Sequence, residues 1–168
     1  MKYNLIIILL FLNLIGFSQN NAREGIDKYV NTIDSNSKLK ISEYDWNKIT
    51  KSHIDHGATL RIWKTKDQIL KVEEQFGASY GLYTRIIYLK NNKPIKGVEI
   101  EENFELNNNE IDYSNLYTQY KLQVYITGYN DLIDEYEFET TEKGKRKFTE
   151  PYSDFNSLFA ILDTIKDL

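Results

Sequence analysis

Residues 59–104 read TLRIWKTKDQILKVEEQFGASYGLYTRIIYLKNNKPIKGVEIEENF. Three apolar–polar alternating runs follow one another, and a fourth begins after NNKP. Short runs rich in Ile, Val, Leu, Tyr and Trp, broken by polar or glycine residues, predict consecutive antiparallel strands. In 59–64, Leu60 and Ile62 oppose Arg61 and Trp63. In 69–76, Leu70, Val72 and Phe76 oppose Lys71, Glu73 and Gln75, with Glu74 interrupting the apolar side. Residues 82–89 carry bulk on both sides, Leu82, Ile86 and Tyr88 against Tyr83, Ile87 and Leu89. That predicts a central strand with its second face covered by a helix. The fourth run sets Lys96, Val98, Ile100, Glu102 and Phe104 against Gly97, Glu99, Glu101 and Asn103.

Before the meander, residues 23–35 place Ile26, Tyr29, Val30 and Ile33 at i, i+3, i+4 and i+7, the stripe of an amphipathic helix. Gly25 weakens its first turn by about 1 kcal/mol relative to Ala. A helix this short is marginal alone, so it is expected on the sheet or at its edge. A strand is expected from about Leu39 to Trp46, and Lys51–Ala58 reads as a polar loop. After the meander, Asn107–Ser114 reads as a polar connection, and Tyr120, Leu122, Val124 and Ile126 alternate as a strand. Gly128–Asp131 reads as a turn, residues 132–140 as a strand, Lys143–Lys145 as a turn and Arg146–Thr149 as a short edge strand. Phe155, Leu158, Phe159, Leu162 and Ile165 form a second helical stripe, with Ser153 or Asp154 as its cap and Pro151 just outside. The expected fold class is α+β: two layers, a curved antiparallel β-meander of five to seven strands, with an N-terminal and a C-terminal helix.

The protein has 168 residues, 41% hydrophobic and 27% charged, with formal charge −4. That is a globular composition for one domain with room for a core. The weakly acidic balance argues against a nucleic-acid partner. With no cysteine, disulfides, thiolate nucleophiles and cysteine-bound metal centres are excluded. Residues 1–18 differ in kind: Lys2 precedes the apolar run Leu5–Phe17, and Gly16-Phe17-Ser18 has small residues flanking a large one. This is the layout of a secretory signal peptide cleaved after Ser18. The run is shorter than the roughly 20 residues that span a bilayer, and Gln19-Asn20-Asn21 follows at once. The expected organisation is therefore a signal peptide, 1–18, and one domain, 19–168, in the periplasm or secreted, with no transmembrane anchor after cleavage.

His53 and His56 are the only histidines, with Asp55 between them, and form the one metal hypothesis. A solvated polar loop is the alternative meaning. Glu73, Glu74, Glu99, Glu101, Glu102 and Glu105 lie on or near adjacent strands, where carboxylate pairs suited to glycoside hydrolysis arise readily. Most are expected on a wet sheet face, opposite Lys71, Arg85 and Lys96. Glu74 and Glu102 fall on apolar faces, from which a β-bulge is expected to return them to water. No serine has a nucleophile-elbow setting, and Gly77–Gly81 joins two strands rather than opening a helix. Lys143, Lys145, Arg146 and Lys147 read as a solvated hairpin tip. No catalytic residue and no cofactor is expected.

Tyrosine is unusually abundant, 13 in all, every one but Tyr3 following the expected cleavage site. Trp63, Tyr83 and Tyr125 are the candidate binding residues, aromatic side chains that either pack across strands or line a binding surface. The ending Gly16-Phe17-Ser18-Gln19-Asn20, the heavy use of Asn, Ile, Lys and Tyr, and the phrases ILKVEEQFG and GLYTRIIYLKNNKPI resemble small exported proteins of Bacteroidetes-type bacteria. The resemblance covers the leader and about residues 59–104. It implies export and a helix followed by a meander, and carries over no activity. The leading expectation is a non-enzymatic exported binding or inhibitor-like module acting through one sheet face on a protein, peptide or glycan. An envelope-associated structural protein and a small carboxylate-based hydrolase are the alternatives.

Overall fold

The computed structural model describes residues 22–51, 54, 56–108, 110–130, 135–145 and 155–165. The expected leader, His53, Asp55, the edge strand at 146–149, and Pro151, Ser153 and Asp154 lie outside the described residues. Helix α1 covers residues 22–34. It is followed by β1 (Lys40–Asp45), the short helix α2 (Trp46–Thr50), β2 (Ala58–Lys64), β3 (Ile69–Ala78), β4 (Gly81–Lys90), β5 (Lys93–Asn107), β6 (Glu110–Asn130), β7 (Glu135–Gly144) and α3 (Phe155–Thr164). The seven strands form one antiparallel sheet in sequence order, β1 through β7. The α+β class, the curved meander and the helices near both termini are as the periodicity predicts.

Short connections explain why each strand pairs with the next. Asn91 and Asn92 take φ of 54° and 61° in the β4–β5 turn. Two consecutive left-handed residues match the twist of a two-residue hairpin, and asparagine tolerates that region better than most side chains. Gly77–Gly81, expected as a loose connection, is mostly strand: β3 continues to Ala78, and only Ser79 and Tyr80 turn. Gly81 is required there, because a Cβ would run into the backbone at Glu102 and Asn103.

Both faces of the sheet are used. On one, Leu60, Ile62, Val72, Ile87 and Leu89 join Trp46 of α2 and Ile161 and Ile165 at α3. On the other, Val30 and Ile33 of α1, with Ile26 and Tyr29 beside them, pack on Ile86, Tyr88 and Val98. Ile86 and Ile87 are neighbours in β4, so α1 and α3 lie on opposite sides. The helix expected over the second face of β4 is α1. The sheet is thus sandwiched between helices, where a two-layer arrangement would leave one face wet. Each fully buried aliphatic side chain in these clusters contributes roughly 1.5–3 kcal/mol.

Candidate functional site

Strand register puts an unusual set of polar groups on the α3 side. Leu60, Glu74, Arg85, Glu99 and Leu122 form one cross-strand row, and Phe76, Tyr83, Glu101 and Tyr120 form the next. Glu74, Glu99 and Glu101 are 1%, 0% and 1% exposed. The expectation of a wet carboxylate face therefore fails for these three. Alternation does set Glu99 and Glu101 opposite Val98 and Ile100, but the face they occupy is itself interior, while Ile100 on the other face is only half-buried. No bulge returns Glu74 to solvent either. The shift on this side of β3 lies between Trp63 and Lys64, and Glu74 instead meets Arg85. Arg85 Nε donates to Glu74 Oε2 at 2.6 Å, and its Nη2 also contacts that oxygen. Burial pushes the Glu74 carboxyl up from its ordinary value, while Arg85 and the Trp46 side chain pull it down. Removing either partner of such a pair leaves a desolvated charge.

The opposite face carries its own charges around α1. Lys96, buried, donates from Nζ to Asp27 Oδ1 at 2.6 Å and to the Tyr125 hydroxyl at 3.1 Å. Lys71 pairs with Asp34 at 3.0 Å, and the Tyr88 hydroxyl donates to the same carboxylate at 2.9 Å. These contacts anchor α1, which has Asp27 and Asp34 two turns apart on its flank.

The residues singled out from sequence are not brought together. Trp63 and Tyr125 share the α1 face, on β2 and β6, with three strands between them. At a strand spacing near 4.8 Å that is about 19 Å. Each is covered by a lysine: Lys71 Nζ lies 4.5 Å from the Trp63 ring centroid and Lys96 Nζ 4.4 Å from that of Tyr125. Tyr83 is on the α3 face, stacked on Phe76 with centroids 6.3 Å apart. His56 is exposed with φ of 67°. Among the described residues no group of three His, Asp or Glu is placed to hold a metal ion.

The far end of β5 and β6 is where the structure departs most from the periodicity. Asn107–Ser114 is not a polar connection. β5 runs on to Asn107, β6 starts at Glu110, and Leu106 pairs with Ile111. The signal was present in the run of asparagines between Leu106 and Ile111, since asparagine tolerates the positive φ of a hairpin turn, and Asn108 takes φ of 51°. β4 pairs with β5 only as far as Gly81–Asn103, and β7 pairs with β6 only from Tyr120 onward. The β5–β6 hairpin therefore projects as an arm, kinked where the register shifts after Phe104. Asp112 shapes that kink by accepting from the Ser114 amide at 3.0 Å and from Asn115 Nδ2 at 2.8 Å.

The arm is apolar and exposed. Leu106 is 71% and Tyr113 69% exposed, and Ile111, Leu116 and Tyr117 are also exposed. Phe104 meets the Tyr113 ring edge-on at 5.1 Å. At the base of the arm a cavity of about 370 Å³ is lined by Tyr80, Asn103, Phe104, Leu106, Ile111 and Tyr117. Burial and the Glu101 charge push the Tyr80 hydroxyl up to about 12, so it is a neutral donor at any ordinary pH. Asn103 is 2% exposed, and among the described residues neither its Nδ2 nor its Oδ1 has a hydrogen-bond partner. An unmet buried amide is costly, about 1–3 kcal/mol per group, and demands a reason. Compared with family models, curated proteins and solved structures, the sequence and fold match none.

Proposed function

We propose that this protein is an exported, non-enzymatic binding module that engages its partner through the β5–β6 arm and the cavity at its base. The observation that carries the reading is the cluster of Leu106, Ile111, Tyr113, Leu116 and Tyr117, large apolar side chains left exposed on one projecting hairpin. Exposed apolar patches of this kind are uncommon on soluble proteins unless something covers them. Export rests on the composition of residues 1–18. The interior of the sheet is a poor alternative surface, since Trp63 and Tyr125 lie against lysines at the margin of α1.

One observation favours a hydrolase: three carboxylates, Glu74, Glu99 and Glu101, are buried together. Catalytic carboxylates must reach substrate, and these are at most 1% exposed with Glu74 committed to Arg85. Binding is the better-supported reading. Two measurements test it. Mass spectrometry of exported material is expected to find a polypeptide beginning at Gln19, and retention of Met1 removes the export claim. Partner recovery from an envelope extract is expected to fall with Leu106→Ser/Tyr113→Ser and to survive Trp63→Ala; the reverse pattern removes the arm from the binding surface.

A further inference from the structure

The arm has a charge as well as an apolar surface, and the two together narrow its occupant. From Glu102 to Thr118 the acidic residues are Glu102, Glu105, Glu110 and Asp112, and the stretch contains no lysine or arginine. Glu105, Glu110 and Asp112 lie on the arm itself and Glu102 at its base, where β5 still pairs with β4, while the whole protein has a formal charge of only −4. Glu105 and Glu110 are exposed, and no described basic side chain forms a salt bridge with any of the four. The backbone is open too. Beyond Phe104, whose amide donates to the Tyr80 carbonyl at 2.9 Å, β5 has no partner on the β4 side among the described residues. Among the same residues, β6 has none over 110–118 on the β7 side. An open strand edge is a template for another extended segment.

Resting on the binding-module reading above, we propose that the arm's partner is an extended, cationic and apolar peptide segment of another polypeptide, adding along the arm with one residue seated in the cavity. Charge decides between occupants. A second copy of this protein would bring another arm of the same sign, and like charges set opposite one another across strands are destabilising. Anionic lipid and nucleic acid are repelled for the same reason. A basic strand is attracted by the acidic side chains while its apolar residues cover Leu106, Ile111 and Tyr117. The acidic residues thus block edge pairing between copies and leave it open to a segment of opposite sign. Asn103 supplies the polar feature of the cavity. Its amide offers one acceptor and two donor hydrogens, the complement of a backbone carbonyl and N–H. Leu106 and Tyr117 also line the cavity and are both exposed, so an entering segment has apolar surface to cover there.

The test uses protein expressed from the full sequence and two synthetic peptides of about nine residues, the span of β6 from Glu110 to Thr118. One alternates lysine with valine or leucine, and the other has glutamate in place of each lysine. Binding is followed by amide chemical shifts and calorimetry. The lysine peptide is expected to shift amides within 103–118 and to bind at least about tenfold more tightly than the glutamate peptide. That affinity is expected to fall as salt rises from about 20 to about 200 mM, because exposed charges are screened. Asn103→Ala is expected to weaken peptide binding while leaving stability equal or higher, a split that a purely structural asparagine would not give. Equal binding of the two peptides, or shifts confined to other strands, overturns the proposal. Shifts in the arm with neutral oligosaccharides and with neither peptide overturn the peptide assignment and leave the binding module standing. Self-association through the arm, seen by sedimentation, replaces the peptide with a second copy. Silence from every probe, with partner recovery from extract also unaffected by Leu106→Ser/Tyr113→Ser, removes both readings.

Discussion

Arg85 and Glu74 carry the sharpest consequences at the scale of single residues. Replacing Arg85 with Met keeps the volume and removes the cation beside a carboxylate that is 1% exposed. Breaking a buried pair from one side typically costs about 3–5 kcal/mol. Urea denaturation of Arg85→Met is expected to show a loss of that size, and a change near zero would mean that Glu74 is protonated in the folded protein. Glu74 also has a pH signature. Burial raises its folded pKa above the unfolded value of 4.5, so the folded state holds that proton more tightly. The site's contribution is most favourable below pH 4.5 and is lost as pH rises through the folded pKa. Wild-type stability measured against Glu74→Gln is therefore expected to decline across the interval just above pH 4.5. A relative stability that climbed there would reverse the assigned direction. Asp45 and Asp112 behave oppositely, since the Lys48 hydrogen bonds and the Ser114 and Asn115 hydrogen bonds hold them low. Their contributions are present above pH 3.8 and fade only on further acidification.

At the scale of elements, α1 is held by a narrow apolar stripe and a ring of ion pairs. Ile33 is buried against Ile86, Tyr88 and Val98, and Ile33→Ala is expected to cost about 2–5 kcal/mol by lost burial and cavity formation. Since a helix of this length is marginal by itself, its amides are expected to lose exchange protection before those of β4. Uniform loss across α1 and β4 would mean that helix and sheet open as one unit. The stripe at Ile26, Tyr29, Val30 and Ile33 was readable because the period of 3.6 residues is local. The face it would cover was half readable: bulk on both sides of β4 requires two coverings, though nothing local assigns α1 to one and α3 to the other.

Across the whole molecule, the arm stands apart from the parts that hold the fold together. Leu106 and Tyr113 belong to none of the three buried clusters. Leu106→Ser/Tyr113→Ser is expected to leave unfolding free energy within about 0.5 kcal/mol of wild type while reducing binding of a hydrophobic dye. A large stability loss would place the arm in the core after all. The meander rests on contacts between consecutive strands, so turn residues and alternation predict the individual strands, five to seven of them, while the count of seven and their order in the sheet are set by the tertiary pairing.

The amino-acid order alone determined the number and direction of the central strands, the two amphipathic helices and the absence of cysteine chemistry, because period, turn residues and composition act over a few positions. It also named Trp63, Tyr83 and Tyr125 as a group, which the fold separates onto two faces. Tertiary structure alone decided that Glu74, Glu99 and Glu101 are buried, that Asn103 sits beside a cavity with no side-chain partner among the described residues, and that β5 and β6 outrun their neighbours to expose an acidic, apolar arm. Burial depends on what packs over both sides of a strand, and exposure on where the neighbouring strands stop; neither quantity is encoded within reach of the residue it governs.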